Sequence, residues 1–280
     1  MPLRRIAQRI GAMSVSEGAG VRVRRSIGLP TIRHLDPFLM LDCFSTDDPR
    51  EYLAGFPDHP HRGFVTFTYM IEGHMLHRDS LGNRGDLQSG GAQWMKAARG
   101  VIHSEMPQQT EGRLRGFQLW INLPASEKMS QPAYQEFGPD AFPVIERPDA
   151  SIKVLLGAHG EERSPIEDPI TQVRYLDVTL EPGAVLREPL DAELQGFVYC
   201  FEGELKVEDR TLRTHELGVL SEGEAVQMRA GPAGTRCILV AGRLIGEPIV
   251  QHGPFVMNSR EEIEQALADY RQGRLVRYTG

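Results

Sequence analysis

Apolar side chains recur at every second position in several short runs. Val21-Arg22-Val23-Arg24-Arg25 alternates, as do Phe117-Gln118-Leu119-Trp120-Ile121-Asn122-Leu123 and Val173-Arg174-Tyr175-Leu176-Asp177-Val178-Thr179-Leu180. Phe64-Val65-Thr66-Phe67-Thr68-Tyr69-Met70-Ile71 is a run of aromatic and β-branched residues. A period of two turns successive side chains to opposite faces, so each run predicts a strand. Gly and Pro clusters separate them, which predicts a sandwich or barrel. Pro124, Pro132, Gly138-Pro139, Pro143 and Pro148 crowd the segment 124–150 and mark the boundary between two domains, 1–130 and 131–280. One helix is predicted, at the C-terminus. Ser259-Arg260-Glu261-Glu262 is a capping box, Ile263, Leu267 and Tyr270 share a face, and Gly273 stops the helix.

An internal repeat sharpens this picture. Tyr69-Met70-Ile71-Glu72-Gly73 matches Tyr199-Cys200-Phe201-Glu202-Gly203 one domain length later, each copy following an apolar strand. A second Gly-containing strand follows in both copies, Gly90 to Met95 and Gly218 to Glu222. Two tandem copies of one β-unit are the natural reading.

Composition narrows the function. Of 280 residues, 40% are apolar and 25% charged, which is globular; Gly 29 and Pro 19 exceed the usual share and agree with a turn-rich β fold. The net charge of −7 lacks the basic footprint of a nucleic-acid binder. No apolar stretch approaches a membrane span of about 18 residues. The Arg-rich N-terminus lacks the apolar core of a secretory leader, and Cys43, Cys200 and Cys237 form no CxxC, so a cytoplasmic protein is expected. No P-loop or nucleophile elbow is present.

The nine histidines are unevenly spread. His59-Pro60-His61 places two imidazoles on one side of an extended chain, and Pro60 keeps His59 extended. His103-Ser104-Glu105 has the same spacing and adds a carboxylate. On antiparallel neighbours the two pairs would converge on one ion, leaving two open positions if the ion is octahedral. Neutral nitrogen with a hard oxygen suits Fe(II), Mn(II), Ni(II), Cu(II) or Zn(II). His74 and His77, three apart, cannot both ligate one ion from a strand. His77 is read as a solvated hairpin histidine, with the pocket mouth as its alternative place. His34, His159, His215 and His252 lack partners at ligand spacing and are read as surface or core residues. Gln93, Trp94 and Met95 would either wall a flat apolar pocket or form a barrel-core strand. Leu81-Gly82-Asn83-Arg84-Gly85 reads as a hairpin turn.

Phe56-Pro57-Asp58-His59-Pro60-His61-Arg62-Gly63-Phe64, Gln93-Trp94-Met95, Arg99-Gly100-Val101-Ile102-His103-Ser104-Glu105-Met106-Pro107 and Gln251-His252-Gly253-Pro254-Phe255-Val256-Met257-Asn258-Ser259-Arg260-Glu261-Glu262-Ile263 resemble the pirin family, from about residue 20 to the C-terminus. The resemblance implies an all-β bicupin: two tandem double-stranded β-helix (jelly-roll) barrels facing each other, with a short C-terminal helix. It implies one metal, typically iron, on His59, His61, His103 and Glu105 in the first barrel. Val65 stands where relatives commonly carry Glu, which leaves Glu105 as the one obvious carboxylate near the metal. In the second copy, Pro189, Asp191, Val226 and Met228 occupy the corresponding places, so a metal-free barrel is expected there. Some pirins are quercetin 2,3-dioxygenases, and the human one is also described as a nuclear, iron-dependent regulator of transcription factors. The leading expectation is a metal-dependent dioxygenase acting on quercetin or a related catecholic aromatic with O2, Glu105 shuttling the proton as catalytic residue. The alternatives are a redox-responsive regulator that binds a protein partner, and a stress-related metal-binding cupin without turnover. A monomer is expected, with neither nucleic acid nor membrane as partner.

Overall fold

The structure, a computed structural model, describes residues 1–276. It is built mostly of β-strands, as the alternating pattern predicts. The predicted strands appear as Val21–Ile27, Phe64–Glu72, Leu114–Asn122 and Arg174–Leu180.

The chain divides into two compact units. The unit that carries both histidine pairs contains residues 14–28, 38–139 and 245–280. Its larger sheet runs, in spatial order, Ala133–Phe137, Ala92–Lys96, Phe64–Glu72, Leu114–Asn122, Phe38–Thr46, Val21–Ile27 and Met13–Glu17. Its smaller sheet runs Phe56–His61, Val101–Pro107, His74–Asp79 and Arg84–Gln88. Val21, Val23, Phe44, Met70 and Leu114 of the larger sheet pack with Met75 and Leu87 of the smaller one. This is a barrel cross-section closed by apolar burial.

The other unit contains residues 1–13, 29–37 and 140–244. It holds a ten-stranded sheet over a core that includes Val154, Val178, Val198, Cys200, Val226 and Leu239. The repeat is structural as well as textual. Tyr69 lies between Ala92 and Phe117, and Tyr199 lies between Leu217 and Ile238, each in the middle of three antiparallel strands.

The chain passes between the two units more often than a single cut at residue 130 implies. Ala133–Phe137 pairs with Ala92–Lys96 in the first barrel, so the crossover falls at 139/140 inside the breaker-rich segment. Both ends of the chain also pair outside their expected domain. Ile6–Gly11 is zipped to Glu216–Leu220, and Phe255–Met257 belongs with the histidine-bearing unit. Pairing energy follows register, not chain order.

The C-terminal helix spans Arg260–Arg271, with both capping-box bonds between Ser259 and Glu262 made. Gly273 adopts φ +66° just beyond the Gln272 cap. Ile263 and Ala266 are the buried positions, packed on Phe255 and Met257; Leu267 is half-buried, and Tyr270 is 41% exposed. Ser259→Ala is expected to cost about 1 kcal/mol, read as a lower denaturant midpoint at unchanged slope. No described helix is long and apolar enough to cross a membrane. Cys43, Cys200 and Cys237 are buried and form no disulfide.

Candidate metal centre

The strands Phe56–His61 and Val101–Pro107 are antiparallel neighbours, with His103 directly opposite His59 and Val101 opposite His61. Directly opposed residues point to the same face, so the HxH pair and His103 share the inner surface of the smaller sheet. Their ligand atoms lie within 4.8 Å of one another. His59 Nε2 and His61 Nε2 are 3.1 Å apart. Two nitrogens at about 2.1 Å from one ion and at right angles to each other would be about 3.0 Å apart. The His59 Nδ1–H donates to the Pro57 carbonyl at 2.8 Å, which leaves the Nε2 lone pair free.

His61 and His103 are 2% and 1% exposed. Burial, and then the neighbouring imidazoles, hold both well below the ordinary histidine value, so both rings are neutral donors. His61 Nδ1 and His103 Nε2 are buried without a hydrogen-bond partner. The orphaned His103 Nε2, on a ring beside those of His59 and His61, is what a bound transition ion would satisfy. The donor set therefore fits a metal.

Glu105 lies deeper. A bulge between His103 and Glu105 sets it opposite Phe56, and its ligand oxygen falls within 4.8 Å of those of His77 and His103. Gln93 Nε2 donates to its Oε1 at 2.6 Å and Gln118 Nε2 to its Oε2 at 2.7 Å. The structure thus gathers His59, His61 and His103 in one group, with Glu105 beside His103 and held by two amides.

A cleft of about 570 Å³ opens over His59 and His61. Its walls include Met40, Phe56, Gln118 and Trp120, with Glu17, Arg25, Asp42 and Asp58 as charged groups. Trp120 stacks on Phe64 at 4.3 Å and meets the His61 ring at 5.1 Å. Its Nε1 donates to Gln118 Oε1 at 3.3 Å, so Gln118 bridges the cleft wall and Glu105. Arg25 binds Asp42 through two bonds of 2.8 and 2.6 Å.

Three expectations change, and the open choice for Gln93, Trp94 and Met95 falls to the core strand. The pocket wall is Trp120 and Met40, not Trp94 and Met95, which are buried away from the cleft; of that trio only Gln93 reaches the site, through Glu105. His77 is no solvated histidine: it is 1% exposed, opposite Glu105, with its Nδ1 3.4 Å from that of His103. Asp79, two residues on, lies opposite His103. His77-Arg78-Asp79 repeats the i, i+2 spacing of the ligand pairs, and that signal was available in the sequence. Val65 pairs with Ile121, while Thr66 pairs with Trp120 and Thr68 with Gln118. Position 65 is therefore on the face of its strand opposite the site, and a carboxylate there would point away from the ligands. In the second unit Val226 lies opposite Glu188 and Met228 opposite Leu186, so Glu188, not Pro189, takes the place of His59 relative to Val226. Glu188 is buried and binds Arg174 and, at 2.9 Å, His159.

The C-terminal segment braces the ligand strand. Gly63, at φ +94°, lies so close to the Val256 carbonyl that a Cβ there would be 1.9 Å from its oxygen. Arg62 binds Asp269 of the helix at 2.9 Å, with both side chains mostly buried. Lys128 Nζ donates to Gly63 O, Asn122 Oδ1 and Val256 O at 2.7, 2.6 and 3.0 Å.

Comparison with known proteins agrees with this architecture. Residues 20–121 match the Pirin domain family and residues 175–276 the Pirin C-terminal cupin domain. A pirin-like protein of Caulobacter vibrioides is 46% identical over 98% of this chain and 100% of its own length. Human pirin is 41% identical over 92% of this chain and 89% of its own. A crystal structure of quercetin 2,3-dioxygenase from Acinetobacter baumannii superposes with a TM-score of 0.90 at 28% identity, covering 98% of both chains. With two cupin domains in tandem, matched along nearly its whole length, this chain belongs to the pirin family.

Proposed function

We propose that this protein is a metal-dependent oxygenase that opens quercetin, or a related flavonol or catecholic aromatic, with O2. His59, His61 and His103 would hold the ion, Fe(II) first among Fe, Mn, Ni, Cu and Zn, with Glu105 as fourth ligand. The observation that carries this reading is the convergence of three imidazoles at a cleft of about 570 Å³ with Trp120 on its wall. Kinship with a solved quercetin 2,3-dioxygenase supports it.

The metal, when bound, would supply Lewis acidity toward a chelating hydroxyl and a position for O2 beside it. The protein's own groups do the rest. Trp120, fixed edge-on by Gln118 and stacked on Phe64, offers a flat aromatic surface beside His61. Glu17, Asp42 and Asp58 outnumber Arg25 on the cleft wall, and Arg25 is already paired with Asp42. That balance disfavours a carboxylate substrate and suits a neutral polyphenol. Glu105, anchored by Gln93 and Gln118, takes the proton of the substrate hydroxyl.

Elemental analysis of protein purified without added metal, followed by quercetin turnover, tests the proposal. About one transition ion per chain is expected, with one O2 consumed and one carbon monoxide released per quercetin. An iron-loaded sample that takes up no O2 and releases no carbon monoxide would defeat the oxygenase reading and leave the metal-responsive regulator.

A further inference from the structure

We propose that Asp79 and His77 form a directed hydrogen-bond chain that locks His103 in the tautomer whose Nε2 lone pair is free for the metal, making His77 a positioning residue. The inference rests on the reading of His103 as a ligand, and it concerns a buried His–Asp pair to which the oxygenase reading gives no task.

The strand His74–Asp79 lies beside Val101–Pro107, with His77 opposite Glu105 and Asp79 opposite His103. The His77 and Asp79 side chains are 1% and 0% exposed. Everything around the Asp79 carboxylate donates to it. Oδ1 accepts from the Leu81 and Asn83 amides at 2.9 and 3.0 Å. Oδ2 accepts from Asn83 Nδ2 at 2.8 Å and faces His77 Nε2 at 3.4 Å. Burial pushes the Asp79 carboxyl up, but the bonds from His77, Asn83 and Leu81 outweigh it and leave its pKa below the ordinary value.

An ionised carboxylate only accepts, so His77 carries its proton on Nε2. In the proposed chain His77 gives its one proton to Asp79 and presents Nδ1 as an acceptor. That atom is 3.4 Å from His103 Nδ1, so the proton between them belongs to His103. A neutral His103 protonated at Nδ1 has its lone pair on Nε2, and Nε2 is the ring atom left buried without a partner. Three polar groups in a row thus agree on one proton arrangement, and its loose end is the metal-facing nitrogen. Tyr134 holds the His77 plane by stacking at 4.6 Å and 20°. The alternative use of the group His77, His103 and Glu105 is a second ion. Such an ion would need His103 Nδ1 as its ligand and therefore the loss of the proton held between His103 and His77.

Nitrogen-15 NMR of histidine-labelled full-length protein, metal-free and Zn(II)-loaded, reads the chain directly. His103 is expected to be protonated at Nδ1 and His77 at Nε2 in both states. Asp79→Asn sets an amide donor against His77 Nε2, so the tautomers of His77 and metal-free His103 are expected to invert. His77→Phe keeps the ring on Tyr134 but removes the acceptor; Zn(II) affinity by chelator competition should fall about 10- to 100-fold. His77→Asn restores a carbonyl acceptor near the Nδ1 position, and affinity should return to within about threefold of wild type. Wild-type His103 protonated at Nε2, loss of its Nδ1 proton on a second equivalent of Zn(II), or full affinity in His77→Phe overturns the proposal. Should His77→Phe fail to fold, the wild-type tautomer alone decides. Should the wild type bind no metal, the oxygenase reading falls while the metal-free spectrum still reports the chain.

Discussion

His61→Ala is expected to lower bound metal to less than about a tenth of an equivalent and flavonol-dependent O2 uptake to background. His61 is the most enclosed of the HxH pair, 2% exposed, with its ring between His59, His103 and Trp120. A tightly bound ion in a four-ligand protein site is worth about 12 kcal/mol, or about 3 kcal/mol per ligand, so losing one ligand costs more than about a hundredfold in affinity. His59 cannot compensate, because its Nδ1 is tied to Pro57 O and only its Nε2 faces the cluster. Elemental analysis and an oxygen electrode check this, with circular dichroism to show that the strands persist. Stoichiometric metal and undiminished turnover in the variant would sink the proposed centre.

Lys128→Met should destabilise the first barrel by about 3 kcal/mol at pH 7. The side chain is 1% exposed, and its ammonium satisfies three buried acceptors from separate segments: Gly63 O, Asn122 Oδ1 and Val256 O. Methionine fills the volume and leaves all three unpaired. The same lysine carries a pH signature. Burial brings its pKa down to about 8. Between about 8 and its ordinary 10.4 the unfolded chain holds a proton that the folded chain does not, so stability rises with pH across that window. The rise is worth about 3 kcal/mol and should be missing from Lys128→Met. Urea unfolding of both proteins at pH 7, 9 and 10.5 separates this group from others that titrate nearby. Parallel curves would show that Lys128 is no more costly to charge than a surface lysine. Because Gly63 follows the HxH pair by two residues, the variant should also bind metal more weakly, linking the stability of this turn to the site.

How much of this was legible beforehand differs element by element. The alternating runs around Val21, Phe117 and Val173, each copy of the Tyr-x-x-Glu-Gly motif and the Ser259 capping box rest on spacings within about ten residues. Local backbone geometry converts those spacings into structure without help from distant contacts. The pairing of His59 with His103 was readable for the same reason: each HxH-type pair is aligned by its own strand, and only one antiparallel pairing was needed to join them. The facing of position 65 was not legible, because Gly63, a left-handed residue, ends one strand before the next begins. Spacing across such a break carries no facing information.

Strand identity, the tandem β-units, the terminal helix and the histidine pairs were thus written into short stretches of the chain. Which groups meet across those strands was not. His77 and Asp79 beside His103, Gln93 and Gln118 on Glu105, Trp120 over His61, and Lys128 on Val256 depend on how segments up to 128 residues apart are brought together. Register is set by closure of the whole barrel, since a slip of one residue turns every inward side chain outward. That cooperative choice has no local trace in the amino-acid order, so the neighbours of each ligand come into view only in the folded barrel.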